Sequence, residues 1–152
     1  MERVGRADSA GMCCQRIAIG PEGGAEENMK LTDLAKAISA SILVGEDQPD
    51  LVIDRAFAAD LLSDVLALTE EQTTLVTGMV NPQVMRVAEI LNITAVVFVR
   101  GKMPPASLLE YAAQLNIPIL ATKKTMFETC GLMHANGIRP CQSRSASEMS
   151  AC

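Results

Sequence analysis

The sequence predicts a three-layer α/β/α domain with a mostly parallel sheet, and three observations lead to that fold class. From about Thr73 onward, short apolar strands alternate with amphipathic helices, the pattern of parallel strands joined by helical crossovers. The strands read as unbroken aliphatic runs, as they do when both faces of a sheet are covered. Hydrophobic residues make up 49% of the 152 residues, yet aromatics make up only 3% and Trp is absent. The core must therefore be built from Ala, Val, Ile, Leu and Met.

In chain order, Leu31, Leu34, Ala35 and Ile38 follow the i, i+3, i+4, i+7 spacing of a helix with one apolar face. Ile42 to Val44 is a short strand ending at Gly45, and Leu51 to Phe57 is a second. Asp60 is placed to cap a short helix through Leu68. Thr74 to Thr77 is a brief buried strand. Asn81-Pro82 puts a capping residue before a proline at the first helical position, opening a helix to Leu91. Ala95 to Val99 is the clearest strand of the chain, and Pro104-Pro105 then lead into a helix carrying Leu108, Leu109, Ala112 and Leu115. Ile117 to Leu120 is a further strand; Pro118 lacks a donor and belongs at an edge or at the strand's beginning. Thr125 and Glu128 have capping-box spacing, and Gly137 supplies a left-handed residue to end the last helix.

The folded unit is expected over residues 29–139, with no internal repeat. Residues 1–28 hold half of the ten glycines and no helical or strand period, and read as a flexible extension; Met29 would serve equally well as a start codon. The Ser-rich stretch 140–152 reads as a loose tail. A net charge of −5 argues against a broad nucleic-acid footprint, which needs a basic surface. No run of 18 or more apolar residues marks a membrane span. Five cysteines, an odd number without a signal peptide, point to free thiols and a cytoplasmic location. The absence of a Cys-x-x-Cys pair leaves no metal site and no cofactor to expect.

Ligands of open parallel sheets gather beyond the carboxyl ends of the strands. Here those ends carry Thr77-Gly78, Arg100-Gly101-Lys102 and Thr122-Lys123-Lys124-Thr125. Four basic residues thus converge on one rim of an acidic protein, each loop preceding a helix whose free amides favour negative charge. The expectation is an anion site for a phosphate or nucleotide-like ligand; the plainer reading is that lysines in solvated loops bind nothing. Asp60 and Asp64, flanking Ser63, form a possible secondary site as a carboxylate pair on one helix face, although a cap plus a solvated residue is the better explanation of them. Cys130 and His134 are also four apart, but no third group orients them, so a buried thiol and a helix-end histidine are the better reading. A P-loop and the G-x-G-x-x-G fingerprint are both missing.

Two segments resemble a known family. Ala58-Ala59-Asp60-Leu61-Leu62-Ser63-Asp64-Val65-Leu66 is similar to the S-D-L-L-S-D-V-M pattern of stand-alone DRTGG-domain proteins. The stretch Ala95 to Glu110, with Asn116 to Thr122 and Gly137-Ile138-Arg139, resembles both those proteins and the N-terminal domain of HPr kinase/phosphorylase. Val99-Arg100-Gly101-Lys102 stands where other members have a T-G-G or T-G-D-R type loop. The resemblance implies a three-layer α/β domain with a regulatory role, often attached to CBS domains. Its small stand-alone versions are typically encoded near iron hydrogenases. The leading expectation is therefore a non-catalytic regulatory domain binding a small anionic ligand, with a second copy in a homodimer as a possible partner. The alternative is an interaction module, an accessory subunit of a hydrogenase or other redox enzyme.

Overall fold

A computed structural model describes residues 29–141. The expected extension over 1–28 lies outside them, as does the tail beyond Cys141. The order of elements is β1 (Met29–Lys30), α1 (Leu31–Ala37), β2 (Ser41–Val44), β3 (Val52–Ile53), β4 (Arg55–Ala58), α2 (Leu62–Leu68) and β5 (Thr74–Thr77). There follow α3 (Pro82–Ile90), β6 (Ala95–Phe98), α4 (Ala106–Gln114), β7 (Ile119–Ala121), α5 (Met126–Ala135) and β8 (Arg139–Pro140).

The main sheet has six strands in the order β2-β7-β6-β5-β4-β8, and only β2 is antiparallel to its neighbour. Alternation along a strand sends successive side chains to opposite faces. Val96 and Phe98 therefore join one core cluster with Val65 of α2, Val84, Met85 and Ala88 of α3, and Leu108 and Ala112 of α4. Ala95, Val97 and Val99 join the other, with Leu31, Leu34 and Ile38 on the α1 side and Met133 of α5. The three-layer α/β/α architecture follows. The steps β4 to β5 to β6 to β7 all run one way across the sheet, so right-handed crossovers stack α2, α3 and α4 on a single face. The return from β7 to β8 runs the other way and puts α5 on the opposite face.

Four helices end in the same left-handed device, with Ser39, Asn92, Asn116 and Gly137 at φ +52°, +49°, +53° and +90°. Each is followed by an amide that reaches back a full turn, as in Ile93 N–H to Ala88, Ile117 N–H to Ala112 and Ile138 N–H to Met133.

Three sequence expectations need correction. The segment from Leu51 to Phe57 is not one strand: β3 pairs with β1 in a separate two-stranded sheet, and β4 joins the main sheet. Asp54 breaks the run, because its carboxylate turns to the Arg55 and Arg139 side chains. Asp60 is not the cap of α2: Leu61 holds that position without a side-chain bond, and Asp60 lies outside the helix, so it shares no helix face with Asp64. The chain beyond Arg139 does not leave the domain at once. Pro140 pairs with Ala56, the Cys141 amide donates to the Ala56 carbonyl, and the Cys141 thiol accepts from the Glu70 amide. Pro118 sits immediately before β7, at the strand's beginning.

Candidate functional site

The carboxyl ends of β5, β6 and β7 are adjacent in the parallel sheet, so the loops that leave them share one rim. Between β6 and β7 the chain departs in opposite directions: α4 packs on one face of the sheet and α5 on the other. That divergence defines the switch point at which open α/β sheets form a crevice. Backbone hydrogen bonds bind the two loops together, Arg100 N–H to the Lys124 carbonyl at 2.8 Å and Gly101 N–H to the Thr122 carbonyl at 2.9 Å. Arg100 and Gly101 are both left-handed, at φ +64° and +66°, which turns the chain sharply off the end of β6.

Thr77 and Thr122 are buried and organise the turns rather than face solvent. The Thr122 hydroxyl donates to the Ile38 carbonyl at 2.9 Å and accepts from the Lys124 amide. Thr77 does the equivalent on β5, accepting from the Met79 amide. Thr125 caps α5 in a complete capping box with Glu128, so its hydroxyl and amide are both engaged by its own helix. Those two bonds hold the Glu128 carboxyl below its usual range against slight desolvation, with the Lys124 charge adding to the effect.

The central arrangement is built around Asp60. One carboxylate oxygen accepts from the Gly78 amide at 2.7 Å and from the Thr77 hydroxyl at 3.2 Å; the other accepts from the Arg100 guanidinium at 2.7 Å. Burial alone would raise this carboxyl, but the Gly78 amide, Arg100 and Thr77 outweigh it and hold the group below the ordinary carboxylate value. Any side chain at Gly78 would collide with the Arg100 guanidinium, which lies directly over it.

The rim expected from the sequence thus comes together at the ends of three neighbouring strands, with differences of role. Arg100 is paired with Asp60. Lys102 and Lys123 are exposed and Lys124 is half-buried, and none of the three is in an ion pair among the described residues. Ser63 and Asp64 are exposed on α2, and the bonds to Asp60 come instead from Thr77, Gly78 and Arg100, so the carboxylate pair does not form. Phe127, one of only three phenylalanines, is 89% exposed at the start of α5, and Met103 is 65% exposed after β6. Apolar periodicity singles out neither residue, although a Phe two residues after a Thr cap is placed to face solvent.

Cys130 is half-buried, and burial pushes its thiol up, the opposite of what a nucleophile needs; His134 is exposed. No group of His, Cys, Asp and Glu suited to a metal occurs among the described residues, and none of their helices is long and apolar enough to cross a membrane. A shallow groove of about 550 Å³ opens at the opposite, amino-terminal end of the sheet, lined by residues such as Arg55, Gln72, Asn92 and Asn116. Its one cation, Arg55, is paired with Glu70 and Asp54, and its remaining charge, Glu71, is negative, so concavity and unpaired positive charge do not coincide.

No curated protein matches the chain. Among solved structures, the CBS and DRTGG domains of the regulatory region of Clostridium perfringens pyrophosphatase, complexed with the activator diadenosine tetraphosphate, superpose with a TM-score of 0.59 at 16% identity. The likeness covers 68% of this chain and 45% of that one, so this chain spans under half of the neighbour's length, and at such low identity it establishes the fold alone. The family model of the DRTGG domain matches residues 33–135, from the first turn of α1 to the end of α5. The chain belongs to the DRTGG-domain family.

Proposed function

We propose that this domain is a regulatory module that binds a small anionic ligand, phosphate or nucleotide-like, at the carboxyl-end rim of its sheet, and that it is not a catalyst. The observation that carries this reading is the meeting of the β6 and β7 loops at the switch point. Arg100, Lys102, Lys123 and Lys124 leave adjacent strand ends there, and the three lysines are without salt-bridge partners among the described residues. A cationic rim at this point of an open sheet is the position from which such folds hold anions. The neighbour's regulatory region, which joins CBS and DRTGG domains, was crystallised with a nucleotide activator, and that supports a regulatory role for this chain.

Thermal shift with ATP, ADP, diadenosine tetraphosphate and inorganic pyrophosphate tests the reading. The unaltered protein is expected to gain stability with at least one of them, and Lys123→Ala with Lys124→Ala to abolish that gain while leaving the unliganded melting temperature within a few degrees. No response to any of the four from the unaltered protein would overturn it. Co-purification with a larger redox enzyme alongside such silence would favour the accessory-subunit reading instead.

A further inference from the structure

The donors at the heart of the rim are already taken. A phosphate arriving at the ends of β5 and β6 would seek the Gly78 amide, the Thr77 hydroxyl and the Arg100 guanidinium. All three donate to the one carboxylate of Asp60, at 2.7, 3.2 and 2.7 Å. Asp60 therefore sits as an internal anion at the place an external one would choose. The guanidinium also shuts the site physically, since it covers Gly78 so closely that no side chain would fit there. Gly78 is buried for that reason, at a strand end where glycine otherwise lets a ligand approach the backbone.

Both partners of the ion pair are only partly enclosed, with side-chain exposures of 43% for Arg100 and 42% for Asp60, so the pair has room to open. An exposed pair of this kind is weak enough for a ligand to displace. The backbone of Arg100, by contrast, is pinned to Lys124, so the guanidinium can swing while its root stays in place.

We propose that the Asp60–Arg100 pair is a self-occupying latch on the rim: an anionic ligand binds by displacing the Asp60 carboxylate from Arg100, and Asp60 sets the threshold for binding. This rests on the anion-binding reading above and deepens it. Asp60 selects against weak single anions, which cannot compete with a carboxylate already held by three donors. Polyphosphates, which also engage Lys123 and Lys124, recover the difference.

The test is isothermal titration of the whole chain with ADP and with inorganic pyrophosphate, comparing the unaltered protein with Asp60→Asn. The amide oxygen of the variant keeps an acceptor for Gly78 but carries no charge for Arg100. Affinity is expected to tighten about fivefold in Asp60→Asn, the gain from unlatching a site held closed by one exposed pair. Asp60→Glu, which keeps the charge, is expected to return affinity toward that of the unaltered protein; Asp60→Ser, which also removes the charge, serves if Asp60→Asn folds poorly, with the same gain expected. In an Arg100→Gln background, Asp60→Asn is expected to add nothing. Binding by the unaltered protein with no gain, or a loss, in Asp60→Asn overturns the latch and leaves the anion site standing. No binding by either protein overturns both. Binding that appears only in Asp60→Asn overturns the reading of the unaltered rim as an anion site, and with it the latch as a threshold that a ligand crosses.

Discussion

The two ends of the parallel sheet are built from the same strands yet treat charge in opposite ways. At the amino-terminal end, Asp54 takes a bidentate contact from Arg139 and a second from Arg55, which also reaches Glu70. Every one of those charges is neutralised by a neighbour. At the carboxyl end, one arginine is paired and three lysines are without ion-pair partners among the described residues. Charges that close on each other serve the fold, and they do so where β8, the last strand among the described residues, must be held. Like charges without ion-pair partners repel one another and weaken the fold slightly, so their clustering on an acidic protein is not explained by the fold, and the proposed anion site accounts for it.

The comparison breaks or stands on substitutions at each end. The largest effect is expected from Asp54→Ala. It removes the anchor of β8 and leaves Arg139 and Arg55 without their shared carboxylate, at a cost of about 1.5 kcal/mol, the bidentate geometry lifting the value above that of an ordinary exposed pair. Denaturant unfolding measures it, and ligand affinity at the rim should not move. The same residue fixes a pH dependence. Hydrogen bonding from Arg139 leads the causes that hold the Asp54 carboxyl below its ordinary value, against desolvation, with Arg55 adding to it. A carboxyl lowered on folding contributes stability above its unfolded pKa of about 3.9, and that contribution is lost as pH falls through the lower folded value. Stability of the unaltered protein should therefore drop as pH falls below about 4, and less steeply in Asp54→Ala. Equal slopes in the two proteins would remove Asp54 from the account.

A smaller effect belongs to Thr125→Ala at the other end. It opens the capping box of α5 and should cost about 1 kcal/mol, typical for a lost side-chain cap. Thr125 was expected among the ligand contacts, but its hydroxyl and amide both serve Glu128. Calorimetric stability should thus fall while the intrinsic affinity for pyrophosphate changes by less than about twofold. A large loss of affinity without a loss of stability would restore Thr125 as a direct contact.

What could be read in advance follows the range of the physics. Continuous aliphatic runs such as Ala95 to Val99, the Asn81-Pro82 start and the Thr125–Glu128 box are local, and the structure has them where the sequence puts them. The division of Leu51 to Phe57 between two sheets was hidden, because Asp54 finds Arg139 across 85 positions of chain. So was the two-residue β8, too short for any period to declare it. The two left-handed asparagines, Asn92 and Asn116, had a usable signal, since each precedes an isoleucine that packs back on its helix, as Ile138 does after Gly137. At the rim, the strand-end rule placed the loops, but helix-capping preference misassigned Asp60. That preference compares one residue with its own helix. It cannot weigh three donors arriving from two other strands, one of them 40 positions away.

The smallest stability change and the sharpest local one should come from Gly78→Ala. The added methyl cannot coexist with the guanidinium above it, but the obstacle is the far end of a flexible side chain, which can turn away. Loss of the exposed pair and the gain from a less flexible unfolded chain nearly offset each other, so stability should stay within about 0.5 kcal/mol of the unaltered protein. The Asp60 carboxyl, however, loses Arg100 while keeping its burial, and burial is the influence that raises it. Its titration, followed by carboxyl-carbon NMR, should therefore move upward toward the ordinary carboxylate range. An unmoved titration would mean that Arg100 does not hold Asp60 in solution, and the distinction between a latched carboxyl end and a permanently closed amino end would lose its basis.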